Sequence, residues 1–157
     1  MERKQKLKNK QNFKEILRLR DQGFAKEIGL KMTCLREGYA SGELEIRPFH
    51  INPIGSVHGG VLFTMADTIG GAASVSHGRW CTTVSGTINY LNPALGCRKL
   101  TGEAREIKAG KRMSVYEVKI TNEQGKIICV TTMTYFYIDV QVRDPQKMCA
   151  KNSPEST

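Results

Sequence analysis

The chain has 157 residues, a hydrophobic fraction of 39% and a formal net charge of +9. This length suits one domain with its own core, and the composition is that of a folded rather than a disordered chain. No apolar run approaches the eighteen or so residues of a membrane-spanning helix, and the charged N-terminus is no secretory signal. We therefore expect a cytoplasmic protein without a membrane partner.

Much of the positive charge lies at the N-terminus. Residues 1–20 contain eight lysines and arginines against two glutamates, which is +6 of the net +9. The spacing of Phe13, Ile16 and Leu17 predicts one short amphipathic helix within this segment. Residues 1–23 are therefore predicted to be a basic arm. Such an arm is more often a solvated surface than a binding site for acidic partners.

The cysteines and histidines form no recognisable site. They show neither a CxxC pair nor the spacing of zinc ligands, so reduced structural thiols are expected, with no metal and no cofactor. The residues are Cys34, Cys81, Cys97, Cys129, Cys149, His50, His58 and His77.

The hydropathy pattern predicts five strands and one long helix. In residues 42–47, Leu44 and Ile46 alternate with charged residues, as in a half-buried strand. The helix is predicted from about residue 57 to residue 77. Four more strand-like runs follow, at residues 81–91, 100–107, 114–120 and 127–138.

This order predicts an α+β domain in which an antiparallel sheet wraps one long central helix. Residues 24–140 are assigned to that domain and residues 141–157 to a loose polar tail. In the run 81–91, strand alternation puts Val84 on the face of Ile88 and Tyr90, with Ser85 on the other face.

The predicted helix has an apolar face and a face of small and polar residues. At about 100° per residue, the apolar face holds Val61, Leu62, Met65, Ile69, Ala72 and Ala73. The opposite face holds Gly60, Thr64, Asp67, Gly71 and Ser74. Asp67 is the only charged residue there. A carboxylate in such a position costs stability, which suggests that it has a functional role.

Gly59 and Asp67 suggest a chemical site. Gly59 begins the helix, so its N–H is an unpaired donor at the positive end of the helix dipole and can polarise a carbonyl. Asp67 can act as a general base for water or as a nucleophile.

The distance between Gly59 and Asp67 constrains how they can cooperate. Eight residues of helix separate them by about 12 Å, too far for both to touch one reacting carbon. Two chains related by a two-fold axis can bring Gly59 of one beside Asp67 of the other. An enzyme built on these residues would share its site between subunits of a homodimer.

The segment from Asn52 through His58-Gly-Gly to Asp67 resembles the hotdog-fold acyl-CoA thioesterases of the phenylacetate-degradation (PaaI-like) type. The resemblance covers roughly residues 24–139. It implies a hotdog fold, hydrolysis of the thioester of an acyl-coenzyme A, and a dimer or dimer of dimers. No nucleic-acid partner is expected.

The resemblance also implies roles for individual residues. Asp67 would be the catalytic carboxylate, and Gly59 would supply the N–H that polarises the thioester carbonyl. Asn52 and His58 would orient the thioester. Ser85, eighteen residues after Asp67, would orient the attacking water.

Further positions match the family's contacts with coenzyme A. The stretch Asn89-Tyr-Leu-Asn-Pro93, which includes Asn92, resembles the segment beside the pantetheine arm, and Gly60 is also expected to bind the substrate. Gly110, Lys111 and Arg112 resemble the loop at the nucleotide end, where cations suit phosphates.

Two alternatives stay open at this point. The basic arm permits a non-catalytic acyl-CoA sensor linked to transcriptional regulation, although one short helix is less than a helix-turn-helix. A hotdog dehydratase acting on 3-hydroxyacyl thioesters would need a different acid–base pair.

Overall fold

The computed structural model describes residues 13–18 and 22–142. One long helix, Gly59–Val75, packs against a six-stranded antiparallel sheet with the strand order β1-β2-β4-β5-β6-β3. The strands are β1 Leu30–Arg36, β2 Tyr39–Glu45, β3 Arg79–Tyr90, β4 Lys99–Ala109, β5 Met113–Asn122 and β6 Ile127–Gln141. The predicted α+β class is confirmed.

The first strand was missed by the sequence prediction. In β1 only Leu30 is buried, and the register against β2 shifts between Met32 and Cys34. Because β1 lies at the edge of the sheet, it can carry polar residues on both faces. The shift also interrupts the two-residue alternation, so no strand pattern is visible in its sequence.

The apolar helix face was largely predicted correctly, but the polar face is shorter than predicted. Met65 and Ile69 are buried, as are Leu62, Ala72 and Ala73, whereas Val61 is half-buried. Gly71 and Ser74 were assigned to the polar face, yet both are buried. The sheet encloses the second half of the helix, and the Ser74 hydroxyl contacts the Ser114 hydroxyl at 2.9 Å.

The β3 faces also differ from the prediction. The register of β3 against β6 shifts between Thr83 and Ser85, which leaves Val84 as an extra residue. The strict alternation that grouped Val84 with Ile88 and Tyr90 is therefore broken, and Val84 is 54% exposed. By contrast, the predicted inner face of β5 is correct, since Tyr116, Val118 and Ile120 are fully buried.

The terminal segments lie mostly outside the described residues. Residues 13–18 are helical, as predicted, and Ile16 is buried in the core. A second short helix spans Gly23–Glu27. Most of the predicted basic arm and the tail beyond residue 142 are not described.

His50 anchors the loop that precedes the long helix. Its ring is fully buried. Nδ1 accepts a hydrogen bond from the Arg47 N–H at 2.9 Å, so Nε2 carries the proton and donates to the Ile28 carbonyl at 2.8 Å. Burial lowers the pKa of His50 below its ordinary value of 6.5, although the bond to Ile28 opposes this shift.

We therefore expect the folded state to lose stability as the pH falls below 6.5. The unfolded chain takes up the His50 proton first, so the free energy of unfolding falls by up to about 1.4 kcal/mol per pH unit until the folded ring protonates. Urea unfolding of wild type and His50→Gln between pH 5 and pH 8 measures the effect. A variant with an unchanged pH slope would contradict this assignment.

Candidate active site

The start of the long helix presents one backbone donor that no described residue accepts from. His58 caps the helix, and its Nδ1 accepts from the Gly60 N–H at 2.9 Å. The N–H groups of Val61 and Leu62 bond to the His58 carbonyl at 2.9 and 3.4 Å. No acceptor within residues 13–18 and 22–142 meets the Gly59 N–H. This donor is therefore available to a ligand at the positive end of the helix.

Tyr90, at the end of β3, packs closely against Gly59. Its hydroxyl donates to the Gly59 carbonyl at 3.0 Å, and a Cβ on Gly59 would lie 2.9 Å from the hydroxyl oxygen. Burial, with a smaller effect of the Cys129 thiol, raises the pKa of Tyr90 above its ordinary value of 10.0, which keeps the hydroxyl a donor. The sequence alone did not indicate this contact.

Asn52 shapes the loop before the helix. Its Oδ1 accepts from the N–H groups of Ile54 and Ser56 at 3.1 and 3.0 Å, so the side-chain oxygen makes a turn. The side-chain NH₂ has no acceptor in the described part of the chain and can donate to a ligand.

A cavity of about 570 Å³ lies in front of this loop and the helix start. Its walls include five predicted site residues, Asn52, His58, Gly59, Gly60 and Asn92. Apolar side chains supply much of the rest, among them Ile54, Leu62 and Leu91. The side chain of Asn92 donates to the Ile127 carbonyl at 2.8 Å, which fixes this wall to β6.

Asp67 lies apart from this cavity. It is half-buried and on the same helix as Gly59, about 12 Å further along the axis. The Thr83 hydroxyl donates to Oδ1 of Asp67 at 2.6 Å. One carboxylate oxygen is thus held by a short hydrogen bond, and Oδ2 remains for chemistry.

The hydroxyl that meets Asp67 comes from Thr83, whereas Ser85, which is expected to orient the attacking water, lies two positions further along β3. Thr83 lies opposite Tyr135, whose hydroxyl reaches the helix, whereas Ser85 lies opposite Thr134. Directly opposite residues share a face of a sheet, so Ser85 faces away from the helix. Counting along the chain cannot reveal the register shift between the two residues.

The predicted cationic loop forms a second groove, of about 580 Å³, at the other end of β3. Lys111 and Arg112 lie in the turn between β4 and β5. Arg79 donates to the Lys111 carbonyl at 2.8 Å and stacks on the Tyr137 ring at 4.1 Å. Arg79 therefore adds a third cation to this groove, which the sequence did not indicate.

The described residues hold no group of histidine, cysteine or acidic side chains that could bind a metal. Burial raises the pKa of the Cys129 thiol to about 12, which leaves it protonated and unreactive at neutral pH. Within residues 13–18 and 22–142, no helix is long and apolar enough to cross a membrane.

Known proteins match this chain in sequence and in fold. The family profile described as Thioesterase superfamily matches residues 54–129. Acyl-coenzyme A thioesterase PaaI of Escherichia coli is 32% identical over 106 residues, which are 68% of this chain and 76% of the relative. Human acyl-coenzyme A thioesterase 13 is 27% identical over 124 residues, 75% of this chain and 89% of the relative.

Solved structures agree with the sequence matches. The E. coli PaaI structure superposes with a TM-score of 0.72 at 30% identity and covers 74% of this chain and 85% of that one. A hypothetical thioesterase from Streptococcus pneumoniae, solved with coenzyme A, has a TM-score of 0.66 at 31% identity, with 70% and 86% covered. With its hotdog arrangement of sheet and central helix, the chain belongs to the thioesterase superfamily.

Proposed function

We propose that this protein is an acyl-CoA thioesterase, which hydrolyses the thioester of an acyl-coenzyme A to the free acid and coenzyme A. The observation that carries the proposal is the pair of half-sites on one helix. At Gly59 lies a backbone donor without an acceptor among the described residues, and at Asp67 lies a carboxylate held by Thr83. Relatives named acyl-coenzyme A thioesterases support the same reaction.

The two half-sites have complementary tasks. The thioester carbonyl oxygen accepts from the Gly59 N–H, which stabilises the negative charge that develops on it. Asp67 takes a proton from water as the oxygen of that water bonds to the carbonyl carbon. The C–S bond then breaks, and the coenzyme A sulfur takes up the proton from Asp67. Direct attack by Asp67, followed by hydrolysis of the resulting anhydride, needs the same placement.

A second copy of the chain would complete each site along β3. This edge strand has no charged residue after Arg79, and residues 82–87 are exposed. Such an uncharged edge is suited to pairing with another strand. If two β3 strands pair antiparallel about an axis between Gly86 and Thr87, Thr83 lies opposite Tyr90 of the partner subunit. Asp67 then lies beside the helix start of the other chain.

The remaining substrate contacts follow from the cavity at the helix start and the groove at Arg79. The walls around Asn92 would hold the pantetheine arm, and the cations Arg79, Lys111 and Arg112 would bind the phosphates of the nucleotide end. We assign these tasks to a domain of residues 24–140, working in the cytoplasm as a dimer or a dimer of dimers. The transcriptional alternative gains no support from the described residues.

An acyl-CoA panel tests the function. Purified protein is assayed with a thiol reagent against aromatic, medium-chain and long-chain acyl-CoA thioesters. We expect turnover of at least one class, with a higher KM for the matching acyl-pantetheine, which lacks the phosphates. Absence of thiol release across the whole panel would reject the proposal.

Thr83→Val is expected to lower kcat at least about tenfold, because it removes the bond that orients the Asp67 carboxylate. Valine keeps the shape of threonine, so the fold should be retained. Ser85→Ala is the matched comparison on the same strand, and a smaller loss is expected because Ser85 faces away from the helix. A larger loss in Ser85→Ala would return the orienting role to Ser85.

A further inference from the structure

We propose that Tyr135 is a positioning residue of this active site, which holds the helical turn that carries Asp67 while Thr83 holds the carboxylate. The inference rests on the proposed function, since it concerns the same carboxylate. Tyr135 lies on β6 and is almost completely buried. Its hydroxyl donates to the backbone carbonyl of Asp67 at 3.0 Å.

The two contacts on Asp67 come from one pair of neighbouring residues. Thr83 and Tyr135 lie directly opposite each other in the β3–β6 ladder. Thr83 binds the side chain of Asp67 and Tyr135 binds its main chain. The sheet therefore holds both the side chain and the main chain of Asp67. The position of the carboxylate thus depends on the β3–β6 register.

Gly70 makes the approach of Tyr135 possible. It lies one helical turn after Asp67 and is buried, and a Cβ at this position would overlap the Tyr135 hydroxyl. Glycine inside a helix costs about 1 kcal/mol relative to alanine. The contact explains why glycine occupies position 70, because any larger residue would displace the Tyr135 hydroxyl that holds Asp67.

The placement matters because the rate depends steeply on geometry. A displacement of about 1 Å of a catalytic group can lower a rate about a hundredfold. Under the proposed function Asp67 acts on a substrate held largely by the other subunit, so its own chain must fix the position of its helical turn. Tyr135 restricts that freedom without touching the substrate.

Tyr135→Phe tests the inference with little risk to the fold. In the helix the Asp67 carbonyl also accepts from the Gly71 N–H, so it keeps a partner when the tyrosine hydroxyl is removed. We expect kcat to fall about tenfold while KM changes by less than about twofold. Amide exchange at Gly71 should become faster, since the acceptor of that N–H is less firmly held.

Tyr116→Phe is the matched control. Tyr116 is also buried, and its hydroxyl can donate to the Ala73 carbonyl of the same helix at 3.2 Å or to Oε2 of Glu106 at 3.3 Å. This variant loses the same kind of bond away from Asp67, so its kcat should stay within about twofold of wild type.

Equal kcat values in Tyr135→Phe and wild type, or equal losses in the two tyrosine variants, would overturn the positioning role and leave the thioesterase function standing. Gly70→Ala provides a second route, because its methyl group displaces the hydroxyl, and the same fall in kcat is expected. Wild-type protein that hydrolyses no acyl-CoA would instead reject the proposed function itself.

Discussion

Asp67→Asn is expected to lower kcat for acyl-CoA hydrolysis by at least about a hundredfold, the low end of what a general base contributes. Asparagine has nearly the shape of aspartate, and its side-chain oxygen can still accept from the Thr83 hydroxyl. The variant therefore loses the ability to take up a proton while it keeps the local structure. Thiol release under saturating substrate measures the effect, and thermal unfolding verifies the fold.

Glu117→Gln is a suitable control for this experiment. Glu117 lies on β5, pairs with Lys119 at 2.9 Å and lines neither the cavity at the helix start nor the groove at Arg79. It loses one carboxylate charge just as the Asp67 variant does, so an effect of net charge alone would appear in both proteins. Substantial activity in Asp67→Asn would remove the carboxylate from the mechanism.

Mixing two inactive variants should restore about a quarter of wild-type activity. Gly59→Pro removes the N–H donor, and Asp67→Asn removes the base. In a shared site, a mixed dimer has one site with both changes and one site with neither. Random reassortment of equal amounts makes half of the dimers mixed, each with one intact site of two, which gives about a quarter.

Proline is well suited to removing the Gly59 donor. Gly59 is the first residue of the helix, where proline is tolerated, and His58 has the extended backbone that precedes proline readily, with φ −61° and ψ 135°. Loss of one such donor lowers kcat by about 10²–10³-fold. Gly59→Ala is the matched control, since it brings the same Cβ towards the Tyr90 hydroxyl and keeps the N–H.

The mixing experiment needs reassortment of subunits, which unfolding and refolding the two variants together provides. Separate refolding followed by mixing is the reference, and it should remain inactive if the dimers do not exchange. Activity that stays at the level of the parent variants after co-refolding would show that Gly59 and Asp67 do not serve opposite halves of one site.

Much of the fold could be predicted because its signals are local. The helix was predicted within two residues at each end, since His58-Gly-Gly marks its start and its apolar residues recur at helical spacing. β6 was recognised as a central strand because β-branched and aromatic residues occupy both of its faces. The edge strand β1 was missed because one buried residue and a register shift leave no periodic pattern.

The features of the candidate site likewise divide into those that the local sequence predicts and those that depend on tertiary contacts. The sequence alone determined that Gly59 and Asp67 lie about 12 Å apart on one helix, because helix rise converts residue number directly into distance. That two chains share the site stays a prediction. Only the tertiary structure decided which groups meet Asp67 and Gly59. Thr83, Tyr135 and Tyr90 reach the helix through the pairing of β3 with β6, and the register shift after Thr83 places Ser85 opposite Thr134. Register depends on contacts between segments far apart in the chain, which local patterns do not contain.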